Sequence, residues 1–265
     1  MKKSLQKHIE WLENQFDLSR VVNYLKEREK EEGGFSFAPD LYPDIEDTYY
    51  AIRIFQMLRV EVNRDKTVNY LKTIDWVGVG FPRAIYMLVY LHLSLDIDFP
   101  PPLTDFLKKD WSRFQILDAQ YFYNEIQKLI RGPIHYLQSL SYFHFHPKDN
   151  LQTLRKKVSI LLNHSIDFNR QEIIKWVQLC QNGDGGFGFY PGTTSYMENT
   201  YCALEILWKL DASPLQVKLA QKYILGCQTK SGGFGRAPMS FPFIESTFHA
   251  VTGWFLLEKI EQEEI

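Results

Sequence analysis

Three stretches of the chain repeat one another without a gap. Gly33-Gly34-Phe35-Ser36 leads through Pro39 to Ile45-Glu46-Asp47-Thr48-Tyr49-Tyr50-Ala51. Gly185-Gly186-Phe187-Gly188 leads through Pro191 to Met197-Glu198-Asn199-Thr200-Tyr201-Cys202-Ala203. Gly232-Gly233-Phe234-Gly235 leads through Pro238 to Ile244-Glu245-Ser246-Thr247-Phe248-His249-Ala250. In each, the glutamate stands thirteen positions after the first glycine. A unit of about 45 residues cannot bury its own apolar face, so such repetition means copies of one supersecondary element stacked on each other.

Each unit reads as two helices around a loop. An amphipathic segment precedes the glycines at Leu18 to Lys30, Asn169 to Gln181 and Pro214 to Gln228, with apolar residues three and four apart, as in Ile173, Trp176, Val177 and Cys180. The segment after the loop is apolar almost all round, as in Leu204, Ile206, Leu207 and Leu210, or Val251, Trp254, Phe255 and Leu256, and is therefore an enclosed helix. Glycine takes the left-handed conformation that ends a helix. The proline stiffens the return loop. Glutamate followed by threonine suits the positive end of the inner helix.

Degenerate units fill the space between Gly33 and Gly185. Asp75-Trp76 leads to an apolar segment from Ala84 to Leu95, Asp110-Trp111 to one from Leu117 to Ile130, and a pair runs from Ile134 to Tyr142 and from Leu151 to Leu162. That makes about six helix pairs. The last helix, Phe248 to Leu257, is as apolar as the internal ones. An open solenoid would need a polar cap there, so the expectation is a single all-α domain over residues 1–265: an α/α toroid with an inner and an outer ring.

Composition narrows the function. The net charge of −2 gives no case for nucleic acid or an anionic membrane, leaving only weak peripheral membrane contact. Three cysteines, Cys180, Cys202 and Cys227, argue against a disulfide framework and for a reducing compartment. Met1-Lys2-Lys3-Ser4 opens on charged sequence, which predicts no signal peptide, and no run suits a membrane span, so a cytoplasmic location is expected. Aromatic residues at 15% exceed what a core needs and point to an aromatic-lined space.

The phrases Cys180-Gln181-Asn182-Gly183-Asp184-Gly185-Gly186-Phe187-Gly188 and Cys227-Gln228-Thr229-Lys230-Ser231-Gly232-Gly233-Phe234-Gly235, with Thr200-Tyr201-Cys202-Ala203-Leu204, resemble the repeat shared by protein prenyltransferase β subunits and squalene-cyclase-type class II terpene cyclases. The resemblance implies a toroid whose inner helices surround an isoprenoid-binding cavity, and a second protein subunit as partner. It implies for the prenyltransferases a zinc held by Asp-x-Cys and His. The matching positions here are Tyr196, Glu198 and Ser246, so no zinc is expected; Cys202 and His249 lie about one turn deeper. Magnesium is expected only if the substrate is a diphosphate.

The cyclases carry Asp-x-Asp-Asp-Thr, and Asp44-Ile45-Glu46-Asp47-Thr48 is that motif with glutamate at its centre. The resemblance makes Glu46 a proton donor tuned by Asp44 and Asp47, with aromatic walls stabilising a carbocation. The repeat argues the other way: Glu46, Glu198 and Glu245 are equivalent, and one reaction does not need three acids. Tyr49, Arg83, Tyr86, Tyr121, Glu198, Tyr201, Glu245, Phe248, His249 and Trp254 are candidates to line the ligand space, each with core packing or helix-start pairing as its plain alternative. Tyr123 shares the inner-helix placement. His144-x-His146 lacks a third metal ligand, and a turn accounts for Asp184. Three functions follow: acid-initiated cyclisation or isomerisation of an isoprenoid, zinc-free transfer from a prenyl diphosphate with Arg83 at the head, or isoprenoid binding without catalysis.

Overall fold

The computed structural model describes residues 18–75, 79–108, 116–132 and 143–263. Within them lie eleven helices: α1 (Leu18–Lys26), α2 (Ile45–Leu58), α3 (Arg64–Lys72), α4 (Pro82–Ser94), α5 (Pro101–Leu107), α6 (Leu117–Ile130), α7 (Leu151–Asn163), α8 (Arg170–Leu179), α9 (Met197–Lys209), α10 (Val217–Gly226) and α11 (Ile244–Glu263). A two-residue hairpin, β1 (Phe234–Gly235) and β2 (Pro242–Phe243), precedes α11.

The repeated threonine turns out to be the pin of the unit. The amides of Phe35, Phe187 and Phe234 donate to the hydroxyls of Thr48, Thr200 and Thr247 at 3.0, 3.0 and 2.9 Å. All three phenylalanines are buried. Each bond ties the end of the glycine loop to the first turn of the inner helix. The fixed interval in the sequence is the length of chain needed to make it.

The glycines do something other than end helices. α1, α8 and α10 stop well before Gly33, Gly185 and Gly232, and these glycines close a turn on Lys30, Asn182 and Thr229. Their φ values of 97°, 92° and 96° are left-handed, as expected. A Cβ there would strike the backbone of Lys66 on α3, Leu219 on α10 and Arg20 on α1. The next glycine lies over a tyrosine ring, Tyr70, Tyr223 or Tyr24, with 2.7 to 2.8 Å left for a methyl group. Each loop thus seats on the outer helix of the following unit, and the last one seats on the first.

That contact closes the circle. The inner helices α2, α4, α6, α7, α9 and α11 pack each on the next, and α11 packs on α2. Arg20 of α1 donates to Thr229 O of the last loop at 2.9 Å. α1, α3, α5, α8 and α10 are the outer members of the pairs and precede inner helices α2, α4, α6, α9 and α11; the stretch before α7 that would hold its partner, 133–142, lies outside the described residues. The toroid of paired helices expected from the repeats is the observed fold. Trp76, Asp110, Trp111 and the segment Ile134 to Tyr142 lie outside the described residues. Cys180, Cys202 and Cys227 are buried free thiols. No helix among the described residues is long and apolar enough to cross a membrane.

Candidate functional site

All six inner helices send side chains to one cavity of about 290 Å³ at the centre of the ring. The positions follow the face of a helix: Asp118, Tyr121, Phe122 and Glu125 on α6; Glu198, Tyr201, Cys202 and Glu205 on α9; Tyr49, Tyr50 and Arg53 on α2. Arg83, Tyr86 and Met87 come from α4, Gln152, Arg155 and Lys156 from α7, and Glu245, Phe248 and His249 from α11. First-turn residues are mostly charged, second-turn residues largely aromatic, and Arg53, Glu125 and Glu205 stand a turn deeper. The inner helices therefore run parallel, with their positive N-terminal ends around one mouth.

Charge is arranged in pairs, with exceptions that matter. Arg83 bridges Glu245 at 2.9 Å and Glu46 at 3.1 Å, and donates to Tyr50 Oη at 2.8 Å. Burial alone would raise the Glu205 carboxyl, but Arg155 at 3.0 Å and Lys209 at 2.6 Å hold it well below the usual carboxylate range. Lys156 pairs with Asp118 at 2.6 Å. Arg53 has no carboxylate partner among the described residues. It donates to Tyr49 Oη at 2.7 Å, and its guanidinium lies 4.7, 5.3 and 5.5 Å from the ring centres of Tyr90, Phe248 and Tyr49.

One acid and one imidazole of the cavity have no ion-pair or hydrogen-bond partner among the described residues. Glu198 makes no ion pair or hydrogen bond with another described residue, and burial, reinforced by Glu245, pushes its carboxyl up. His249 is 6% exposed and stacks on Tyr201, ring centres 4.8 Å apart at 15°. Burial pushes its imidazole down to about 4, with Arg155 and Arg83 adding to the effect and Glu245 opposing it.

Nine of the ten expected ligand-lining residues meet at this cavity: Tyr49, Arg83, Tyr86, Tyr121, Glu198, Tyr201, Glu245, Phe248 and His249. Trp254 does not line it; 2% exposed, it donates from Nε1 to Glu258 on its own helix at 2.9 Å. The acid trio is dispersed. Asp44 caps α2 by accepting from the Asp47 amide at 2.8 Å. Asp47 Oδ2 accepts from the Phe37 amide at 2.7 Å. Burial and the neighbouring Asp44 push Asp47 up to about 7. Neither lines the cavity. Glu46 lies at its edge on Arg83, its carboxyl pushed up by partial burial against the pull of that guanidinium.

Sequence reasoning missed Arg53, Tyr50, Arg155 and Glu205. The signal was present. Once Glu46 and Glu198 are placed in the first turn, the positions seven residues on, Arg53 and Glu205, fall on the same face two turns deeper.

A second, apolar groove of about 630 Å³ adjoins the mouth. Phe81, Pro82, Ala84, Phe106, Ile116 and Ala119 line it, Glu46 stands at it, and it shares Arg83, Asp118 and Phe122 with the central cavity.

The zinc positions do not offer a zinc donor set. Tyr196 lies under the Arg236 guanidinium at 5.0 Å, Glu198 is the acid just described, and Ser246 is a buried hydroxyl. Burial pushes the Cys202 thiol up to about 12, the reverse of what activates a thiolate. His146 serves a turn, its Nδ1 accepting from the Lys148 amide. Asp184 likewise accepts from Gly186 N and Ser195 Oγ.

The family model described as prenyltransferase alpha-alpha toroid domain matches residues 4–84 and 121–265, and the chain belongs to that family. Among solved structures it is similar to Candida albicans protein geranylgeranyltransferase-I complexed with GGPP, at 17% identity and a TM-score of 0.37, over 97% of this chain and 78% of that one. No curated protein matches the chain.

Proposed function

We propose that the chain binds an isoprenoid with a phosphate or diphosphate head, the head in the central cavity and the chain along the apolar groove that shares Arg83 and Phe122 with it. The observation that carries this reading is Arg53. A guanidinium facing a cavity, held by a phenol and three aromatic rings and lacking a carboxylate partner among the described residues, leaves a positive charge for the ligand to answer. Six converging helix N-termini favour the entry of an anion through the mouth above Arg53. The aromatic second layer suits prenyl carbons. A magnesium ion would come with a diphosphate rather than with the protein. A second chain, as the resemblance implies, would meet the exposed Tyr42, Phe81, Met239 and Phe241 on the loops and helix start that precede the inner helices.

Of the reactions the sequence suggested, cyclisation started by Glu46 draws least support from this geometry. Asp44 and Asp47 are occupied by backbone amides, and a cavity ringed with ion pairs is not the dry hydrocarbon space that cation cyclisation uses. The test is calorimetric titration with farnesyl diphosphate. Arg53→Gln should weaken binding by tenfold or more, since hydrogen bonds to charged groups contribute about 1.5–3 kcal/mol. Unchanged affinity would remove the head from Arg53.

A further inference from the structure

Two charges in the central cavity are left over, and they have opposite signs. The ion pairs given above, with Glu125 on Lys128 at 3.1 Å, account for every charged side chain of the lining except Arg53 and Glu198. Arg53 faces the cavity from α2. Glu198 faces it from the first turn of α9, without an ion pair or hydrogen bond among the described residues; Arg236 and Arg83 attract it only from beyond ion-pairing distance.

His249 faces the same cavity from the neighbouring helix α11. It is 6% exposed, and neither imidazole nitrogen has a hydrogen-bond partner among the described residues. Tyr201 stacks on the imidazole and Tyr50 meets it edge-on at 6.0 Å, so the rings fix its plane and leave its nitrogens to the cavity. A buried polar ring with no partner is costly unless a ligand or water answers it. The imidazole is neutral at neutral pH and offers one acceptor nitrogen. Glu198 and His249 thus present acceptors that the protein itself does not satisfy. A fully ionised diphosphate, which only accepts, answers Arg53 and neither of these.

The layout separates the two needs. The apolar groove leaves the mouth on the side of α4 and α6, where Pro82, Ala84 and Ala119 line it. α9 and α11, which carry Glu198 and His249, stand across the ring. Between Arg53 and Glu198 runs a wall of rings: Phe248, 5.3 Å from the Arg53 guanidinium, and Tyr201, 6.0 Å from Phe248 and one turn beyond Glu198.

We infer that the cavity takes a primary ammonium group beside the phosphate, held by Glu198 and His249, an inference that rests on the phosphate reading above. The ligand is then a prenyl phosphate bearing an aminoalkyl ester, or a prenyl phosphate bound together with a small primary amine. The ammonium donates to the Glu198 carboxylate and to the open imidazole nitrogen, with the aromatic wall alongside it. The phosphate meets Arg53, and the prenyl chain leaves by the groove on the opposite side. Burial pushes the Glu198 carboxyl up in the empty cavity, and an ammonium there reverses the push and holds it ionised.

The experiment is calorimetric titration of the intact chain with the 2-aminoethyl and 2-hydroxyethyl esters of farnesyl phosphate, which carry the same phosphate charge and differ in ammonium against hydroxyl. Farnesyl phosphate with and without ethylamine reads the case of two molecules. The aminoethyl ester should bind tenfold or more tighter than the hydroxyethyl ester, which places both charges on one molecule. A tightening of farnesyl phosphate by ethylamine, without that preference, places them on two. Either effect should vanish in Glu198→Gln and shrink about threefold in His249→Phe, which keeps the stack on Tyr201 and removes the nitrogens. Glu198→Gln should bind farnesyl diphosphate at least as tightly as the wild type, since a negative charge has left the cavity. Equal affinity for the two esters with no effect of ethylamine, or a preference that Glu198→Gln retains, overturns the ammonium site while farnesyl diphosphate still binds. Failure of farnesyl diphosphate and both esters to bind the wild type overturns the phosphate reading, and the ammonium site with it.

Discussion

Arg83 of α4 reaches past α2 to Glu245 of α11 at 2.9 Å, joining two inner helices that are not neighbours in the ring. The bridge crosses the mouth of the cavity, and Glu46 of the helix between them completes it at 3.1 Å. Both side chains are about 40% exposed, at 40% and 41%, so water weakens the attraction. A double-mutant cycle on Arg83→Met and Glu245→Gln, read by chemical denaturation, should return a coupling below about 1 kcal/mol. Arg83→Met should weaken farnesyl diphosphate binding more than it weakens the fold, whereas Glu245→Gln, which removes a negative charge beside Arg83, should not weaken that binding. A coupling of several kcal/mol would make the bridge a structural strut.

The threonine pin predicts three equal effects at distant sites. Thr48→Val, Thr200→Val and Thr247→Val each leave a buried phenylalanine amide without an acceptor. Each should cost about 1–3 kcal/mol of stability. Serine at the same positions should recover most of it. Denaturation midpoints of the six variants provide the check, and a valine variant as stable as its serine counterpart would contradict the role.

Glycines in this chain are not equivalent, and alanine separates them. Gly33→Ala puts a methyl group into the Lys66 backbone at a left-handed residue, whereas a Cβ at Gly183 meets nothing within 4 Å. Gly33→Ala and Gly232→Ala should lower stability by more than about 1 kcal/mol, with Gly183→Ala near zero. Thermal unfolding of the three variants distinguishes them.

Stability should fall as pH rises toward neutrality. Burial lifts Asp47 to about 7 and Glu258 to about 7, against ordinary values of 3.8 and 4.5. Between about pH 4 and 7 the folded chain therefore holds protons that the unfolded chain has released. Each group contributes stability below that window and loses it on passing through it, at up to about 1.4 kcal/mol per pH unit. Asp47→Asn keeps an acceptor for the Phe37 amide and removes one of the two slopes. Urea midpoints measured from pH 4 to 8 should show a shallower decline in the variant. Parallel curves would place the Asp47 titration elsewhere.

The fold was legible because the repeat is a device for closing a ring: the glycines, the phenylalanine and the threonine all serve one loop, and their spacing survives in three units. The degenerate units were legible only as apolar runs, since nothing like Phe35 and Thr48 marks their start. The cavity was half legible. Tyr201, Phe248 and His249 could be placed from the register, but Arg53 could not be told from a solvated arginine without knowing that α11 brings Phe248 over it. Asp44 and Asp47 misled for the same reason. A cluster of acids in one dimension says nothing of the amides of Phe37 and Asp47 that occupy two of them. Trp254 sits among apolar residues all round its helix, so only packing decides which way it points.

The account stands on the central cavity holding the charged head of an isoprenoid. Displacement of a radiolabelled farnesyl diphosphate tests this most directly, with inorganic diphosphate and farnesol as the two competitors. Inorganic diphosphate should displace the label fully, and should need at least tenfold higher concentration to displace any label retained by Arg53→Gln. Displacement by farnesol alone, with inorganic diphosphate inert, would contradict it.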